Sequence, residues 1–219
     1  MLELIAKTIA PARCVGCDRE GLAFCAVCQS ILSPAPRVCL YCGINNSNGR
    51  TCGRCQAPNR LNGWWSLGEF QGALRAAILA MKYQHLRQAA DELAAQIALT
   101  LPSSLAMGAV VVPAPTASNR WRQRGFGHTE RLARVLARRL RLPYGQYLLR
   151  KSSQKQVGST KEKRLQQAKN NYICHQKSPF KVLLIDDVIT SGATVIACSE
   201  ALKNAGTKEV WAVSVARES

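Results

Sequence analysis

The pattern of apolar and polar residues changes character near residue 60. From Trp64 onward, short apolar runs alternate with stretches in which aliphatic residues recur every three or four positions. The apolar runs predict strands, and the periodic stretches predict amphipathic helices. The predicted strands cover 63–70, 110–115, 181–187 and 209–216, and the predicted helices cover 73–83, 90–100, 129–140 and 193–206. This alternation predicts an α/β fold whose mostly parallel sheet is covered by helices on both faces.

The first 60 residues are poor in large apolar side chains and are interrupted by glycine and proline. A segment of this size and composition buries too little surface to form a stable core unaided. We therefore expect two units, a small cysteine-rich domain at 1–60 and an α/β domain at 61–219.

Eight of the ten cysteines form four CxxC pairs within the first unit. The pairs are Cys14/Cys17, Cys25/Cys28, Cys39/Cys42 and Cys52/Cys55. Two facing pairs supply the four thiolates of a tetrahedral zinc ion, so the eight cysteines predict two structural Zn²⁺ sites. A disulfide framework and a redox CxxC are the alternatives. Sequential pairing closes shorter loops than an interleaved arrangement and is favoured for that reason.

The chain carries a net charge of +17, and most of it lies in one segment. Residues 120–169, here called the basic segment, hold fifteen basic residues and two acidic ones. Cations interleaved with aromatic rings are typical of single-stranded nucleic-acid binding, whereas arginines every three or four residues also form the solvated face of an ordinary helix. The candidate DNA-binding residues are Arg120, Trp121, Arg122, Arg124, Phe126, Lys151, Lys155, Lys161 and Lys163.

The stretch 182–194 carries the most specific chemistry. An apolar strand ends at Asp186 and Asp187, and a loop rich in hydroxyl groups then leads into a helix. Strand ends of open α/β sheets bind ligands, and the N–H groups of a helix N-terminus attract phosphate. The alternative is that Thr190 or Ser191 only caps the helix and that the carboxylates are solvated. The loop residues are Thr190, Ser191, Gly192, Ala193 and Thr194.

This stretch resembles the phosphoribosyl-pyrophosphate (PRPP) loop of type I phosphoribosyltransferases. The whole chain resembles the ComF family of competence-associated proteins, a branch of that superfamily with an N-terminal zinc domain. The matching segments are VPAP (112–115), RQRGF (122–126), QVGSTKEKR (156–164) and the lysine after the first long helix. The chain departs from the family's common residues at Gly127, His128 and Gln167.

The resemblance implies a type I phosphoribosyltransferase-like fold and a division of roles in the site. Asp186 and Asp187 would hold the ribose hydroxyls and act in catalysis, and the loop 190–194 would hold the 5′-phosphate. Mg²⁺ would accompany PRPP, and a mobile loop would close over the site. The candidates for the pyrophosphate and the closing loop are Lys82, Arg124, Gln156 and Arg164.

Three functions follow from these features. The first, which the ComF resemblance implies, is uptake or use of external DNA, in which the chain engages single-stranded DNA and PRPP beside other DNA-uptake or DNA-processing proteins. The second is a PRPP-dependent transferase of unknown acceptor, and the third is a non-catalytic zinc and PRPP adaptor. No apolar run reaches membrane-spanning length, and the first ten residues lack the basic start of a signal peptide, so we expect a cytoplasmic protein.

Overall fold

The computed structural model describes residues 12–46, 48–84, 86–115, 127–151 and 171–218. A short helix, α1 (Ala26–Ser30), and a 3₁₀ turn (Gly53–Cys55) lie among the cysteine pairs. The elements that follow are β1 (Gly63–Glu69), α2 (Gly72–Tyr83), α3 (Arg87–Thr100), α4 (Ser103–Ala106), β2 (Val110–Pro113), α5 (His128–Leu140), β3 (Leu148–Arg150), β4 (Tyr172–Cys174), β5 (Lys181–Ile189), α6 (Ala193–Asn204) and β6 (Glu209–Arg217).

The main sheet has four strands in the order β1-β6-β5-β2, and all of its neighbouring pairs are parallel. The predicted α/β fold with a mainly parallel sheet is therefore confirmed. Several element ends differ from the prediction by one to three residues, and at the site β5 continues past the two carboxylates to Ile189. It does so because Val188 and Ile189 still pair with Ala216 and Arg217 of β6.

The side chains of β5 alternate between the two faces of the sheet, and the core is accordingly divided into two layers. Leu183 and Ile185 belong to one layer, together with buried residues of α2, α3 and α5. Val182 and Leu184 belong to the other, with buried residues of α6, β3 and β4. This period of two is what a strand buried on both faces requires. The sheet is thus covered on both sides, and Lys82 at the end of α2 lies next to Asp187 of β5.

The cysteine-rich segment packs against both layers. Phe24 is fully buried in the layer of α2 and α3, and its backbone N–H and that of Ala23 donate to the carboxylate of Glu92 in α3. Leu40 and Tyr41 pack against the layer of α6. The segment therefore shares its apolar packing with the sheet, while the predicted domain boundary at residue 60 stays a prediction.

The helix α6 begins where Gly192 adopts φ +78°, in the left-handed region that favours glycine. Its last turn is followed by Gly206 at φ +106°, close to the predicted end of this helix. Among the described helices, none combines the length and the apolarity needed to cross a bilayer.

Candidate functional site

The two adjacent carboxylates lie near the carboxyl end of β5, on opposite faces of the sheet. Alternation along the strand places Asp187 in the layer of Leu183 and Ile185, the layer of α2 and α5. It places Asp186 on the face of Val182 and Leu184, beneath α6. Two neighbours in the sequence therefore meet different surroundings.

Asp187 is the centre of a buried ion cluster. Its Oδ2 lies 2.9 Å from Lys82 Nζ at the end of α2, and 2.6 Å from Nε2 of His128, the first residue of α5. Its Oδ1 accepts the backbone N–H of Val188 at 2.7 Å. Burial alone would raise the pKa of Asp187, but the hydrogen bond from His128 and the charge of Lys82 lower it to about 2. Asp187 is therefore an anion.

Asp186 has a different electrostatic environment. Its Oδ1 accepts the backbone N–H of Asp187 at 2.9 Å, and within the described residues no cation lies in ion-pair contact with it. Burial and the neighbouring charge of Asp187 raise the pKa of Asp186 to about 8. Near neutral pH the pair holds one negative charge more readily than two, and that charge resides on Asp187.

The loop after β5 has the conformation of a helix N-terminus. Thr190 and Ser191 are exposed, and Thr194 is half-buried in the first turn of α6. The Ser191 hydroxyl accepts the Ala193 N–H at a long 3.4 Å, and Gly192 at the N-cap has no side chain to cap the helix. The first N–H groups of α6 therefore stay largely available to an anion.

A cleft of about 240 Å³ joins the carboxylates to this loop. Arg150 of β3 and Tyr172 of β4 form one wall, with the guanidinium 5.9 Å from the ring centroid. The side chains that carry polar chemistry into the cleft are Lys82, His128, Arg150, Tyr172, Asp186, Asp187, Thr190 and Thr194. Cations, carboxylates and hydroxyl groups thus converge on a space that suits a sugar phosphate.

Several predicted site residues lie outside the described part of the chain. This holds for the pyrophosphate and closing-loop candidates Arg124, Gln156 and Arg164, and for most of the DNA-binding candidates: Arg120, Trp121, Arg122, Phe126, Lys155, Lys161 and Lys163. Their roles stay predictions. Lys82 lies in the cleft, and Lys151 is exposed at the end of β3.

Sequence reasoning gave too little weight to His128 and left Arg150 out of the site. In the sequence, His128 stands out only as a departure from the family's common residues, yet its side chain is 5% exposed and bonded to Asp187. Arg150 was counted only with the basic segment, although it lines the cleft. The signal that could have identified His128 was its position at the start of a predicted helix, where the chain departs from the family's common residue.

Two arginines in the described part of the basic segment are paired with carboxylates. Arg131 forms two bonds to Asp91 of α3, at 2.8 and 2.5 Å. Arg134 pairs with Glu130 at 2.8 Å and stacks over Tyr144, 4.4 Å from its centroid. Arg131 is therefore paired with an acid from outside the basic segment, and Arg134 with one of the two acids within it. Arg138 and Arg139 near the end of α5 and Arg141 just after it are also exposed.

The eight paired cysteines form two groups, and the pairing is sequential. Cys14, Cys17, Cys25 and Cys28 form the first, and Cys39, Cys42, Cys52 and Cys55 form the second. Within each group all Sγ atoms lie within 4.8 Å of one another. Individual Sγ–Sγ distances of 3.5 and 3.6 Å approach the roughly 3.8 Å expected for four thiolates around zinc. The arrangement favoured by loop length is the one observed.

The surroundings of the sulfur atoms suit a metal. The backbone N–H of Cys25 donates to Cys14 Sγ at 3.4 Å. Burial would raise the pKa of Cys14 and of Cys39, but backbone N–H groups lower both to about 6. Gly43 turns the second group at φ +74°, in the left-handed region that favours glycine, and its N–H donates to the Cys39 carbonyl at 2.8 Å. Each group could therefore hold one metal ion.

Comparison with known proteins agrees with this architecture. Residues 129–219 match the family described as the phosphoribosyl transferase domain. The chain is also similar to Competence protein F of Haemophilus influenzae, with 26% identity over 232 aligned residues that cover 94% of this chain and 96% of that protein.

The fold and the family match define the class: an α/β protein with a phosphoribosyltransferase-like domain preceded by a cysteine-rich segment. The similarity to Competence protein F and the two four-cysteine groups fit a ComF-like protein. The resemblance predicted from the sequence is thus confirmed.

Proposed function

We propose that this protein is a ComF-type phosphoribosyltransferase-fold protein that binds PRPP in the β5 cleft and single-stranded DNA through the basic segment, in the uptake or use of external DNA. The observation that carries the proposal is the cleft itself. A carboxylate pair, an uncapped helix N-terminus and the Lys82 ammonium converge there. These are the groups that a ribose diol, a 5′-phosphate and a pyrophosphate need.

The two carboxylates take different parts in this proposal. Asp186 Oδ2 has no hydrogen-bond partner among the described residues, so Asp186 contacts the ribose hydroxyls directly. The Asp187 carboxylate already contacts Lys82, His128 and the Val188 N–H. Its remaining lone pairs accept hydrogen bonds from the ribose diol. Asp187 also keeps Lys82 at the edge of the cleft, where the ammonium meets the pyrophosphate.

The 5′-phosphate occupies the loop 190–194, where backbone N–H groups and the dipole of α6 favour negative charge. Mg²⁺ bound with PRPP would neutralise the pyrophosphate. Among the described residues, the groups of three or more metal-ligating side chains are the two cysteine groups, and neither lines the cleft. In this proposal the metal arrives with the ligand.

Calorimetric titration with PRPP and Mg²⁺ tests this role. The wild type should bind one PRPP per chain, and Asp186→Asn should weaken binding by about tenfold, the upper end of the effect of one lost hydrogen bond to the ribose hydroxyls. Glu200→Gln, on the same helix as the loop but outside the cleft lining, serves as the control and should bind like the wild type. Equal affinities in Asp186→Asn and the wild type would refute the assigned contact.

The proposed DNA partner rests on charge and exposure. Arg138, Arg139 and Arg141 project from the end of α5. They continue the charge of a segment that holds fifteen basic residues. A polyanion releases bound counterions when it meets such a surface, and this makes its affinity strongly dependent on salt. PRPP alone would engage only a few of these cations.

Single-strand affinity should therefore fall steeply with salt. Replacing Arg138, Arg139 and Arg141 with glutamine should reduce the log–log salt slope by about two, since each phosphate contact on a single strand contributes roughly 0.7. A triple variant at Arg19, Lys177 and Lys208 removes the same charge from exposed positions outside the basic segment and is the matched control. Identical slopes for the two variants would remove α5 from the DNA surface.

Catalysis is the second candidate, because the phosphoribosyl transferase match includes both carboxylates and the loop. Pyrophosphate release from PRPP with a nucleobase or other acceptor would select this candidate. Binding without release would select the adaptor. Impaired transformation or growth on external DNA after loss of the protein, reproduced by Asp186→Asn, would support the DNA role and its cytoplasmic setting.

A further inference from the structure

The second four-cysteine group touches the loop to which the phosphate role is assigned. Leu40, between Cys39 and Cys42, packs on Gly192 at the start of α6. A Cβ added at Gly192 would lie 3.4 and 3.5 Å from the two Cδ atoms of Leu40. This is ordinary van der Waals contact. Leu40 thus abuts the loop on the side of the cysteine-rich segment.

Gly192 is the residue of the loop whose conformation matters most. Its φ of +78° is unfavourable for residues with a Cβ, and its carbonyl accepts the Ile196 N–H at 2.9 Å to begin the helix. The direction of the N–H groups in the loop follows from this residue. A side chain packed on Gly192 therefore influences where an anion can be held.

The segment around Leu40 is held on both sides by contacts with residues 60–64. The carbonyl of Val38 accepts the Trp64 indole N–H at 2.6 Å. The Tyr41 hydroxyl accepts the Leu61 N–H at 3.0 Å, and the Arg60 guanidinium lies 4.7 Å from the Tyr41 ring centroid. Between these contacts, the position of Leu40 depends on the turn that Cys39 and Cys42 make. A metal held by these thiolates would fix that turn.

The first four-cysteine group has a different neighbour. The two residues between Cys14 and Cys17 are Val15 and Gly16, and a Cβ added at Gly16 would clash with Ala73 Cβ at 2.6 Å. This group therefore lies against the start of α2, away from the loop. The chain thus offers an internal control, since Val15 directly follows Cys14 in the first group as Leu40 directly follows Cys39 in the second.

We propose that the second four-cysteine group positions the phosphate loop through Leu40, so that metal loading of this group controls how tightly the cleft holds a phosphorylated ligand. Leu40 is then a positioning residue that acts through Gly192. The proposal rests on the function assigned to the loop 190–194. It adds a regulatory link between the cysteine-rich segment and the ligand site.

Calorimetry with PRPP and Mg²⁺, and hydrogen exchange of the peptide covering the loop, test the link. Leu40→Ala should weaken PRPP binding by about fivefold or more, the lower end of ordinary coupling between sites. It should also speed exchange in the loop while leaving the metal content unchanged. Leu40→Met should restore both readouts, and Val15→Ala should alter neither.

A second pair of variants tests the role of the metal. Cys17 and Cys42 are the exposed thiols of the first and second groups. Cys42→Ser should reproduce the effects of Leu40→Ala on affinity and exchange, whereas Cys17→Ser should lower metal content without speeding exchange in the loop. If Leu40→Ala does not fold, the comparison of Cys42→Ser with Cys17→Ser still tests whether the second group positions the loop.

The outcomes separate the two proposals. If the wild type binds no PRPP, the proposed function fails, while exchange in the loop still reports on the coupling. If the wild type binds PRPP and both Leu40→Ala and Cys42→Ser match it in affinity and exchange, the positioning role of Leu40 is overturned.

Discussion

At the scale of single residues, the two adjacent aspartates differ because strand alternation sends them to opposite faces of the sheet. Asp187 meets Lys82 and His128 and stays ionised, whereas burial favours the protonated form of Asp186. The alternative that the pair is a solvated strand end is wrong for Asp187, whose side chain is 11% exposed. Replacing aspartate by asparagine near neutral pH should therefore stabilise the fold at position 186 and destabilise it at position 187.

Asp186→Asn should stabilise the fold as pH rises. An unfolded aspartate loses its proton near pH 4, whereas the pKa of Asp186 in the folded chain is about 8. Between these values the folded state binds more protons, so Asp186 makes the wild type lose stability with rising pH. The melting temperature of Asp186→Asn relative to the wild type should increase from pH 4 to pH 8. A constant difference across that range would contradict this.

Asp187→Asn should destabilise the fold above pH 4, because it leaves Lys82 and His128 without their anion. Breaking a largely buried pair of this kind costs roughly 3 kcal/mol, which corresponds to a fall of about 6–12 °C in a chain of this size. Thermal melts of both variants in the same buffers make the comparison. A rise in melting temperature for Asp187→Asn at pH 7 would show that the ion cluster does not stabilise the fold.

At the scale of elements, local pattern was sufficient for most of the sheet and helices. The strands of the main sheet and helices α2, α3, α5 and α6 fall within a few residues of the predictions, because their apolar periods are regular. The pairing of the CxxC motifs also followed from loop length. Contacts between distant elements did not follow, such as His128 with Asp187 and Arg131 with Asp91. Such contacts depend on how helices are placed on the sheet, which periodicity leaves open.

The cysteine groups should be filled by zinc. Purified protein should contain two zinc ions per chain, because each group offers four sulfur ligands and leaves no open position. Elemental analysis with a thiol titration measures this, and chelation should expose eight additional reactive thiols. Cys198→Ser, which removes a buried cysteine outside both groups, should keep the full zinc content. Fewer than two zinc ions in freshly prepared protein would contradict the assignment.

At the scale of the whole molecule, filled zinc sites would change the charge distribution. Each site of four thiolates and one Zn²⁺ would carry a net charge of about −2 and so lower the chain's +17 to about +13. The reduction lies in residues 1–60 and leaves the charge concentrated in the basic segment. The cysteine-rich segment is then nearly neutral and contacts both layers of the core. Its proposed role is to brace the ligand cleft, while the basic segment meets the polyanion.

The central claim is that the β5 cleft holds PRPP. A crystal structure of the zinc-loaded wild type with PRPP and Mg²⁺ tests it most directly. The account predicts the 5′-phosphate within hydrogen-bond distance of the backbone N–H groups of residues 190–194, and the ribose hydroxyls on Asp186 and Asp187. PRPP bound at another surface, or an empty cleft at saturating PRPP, would contradict the account.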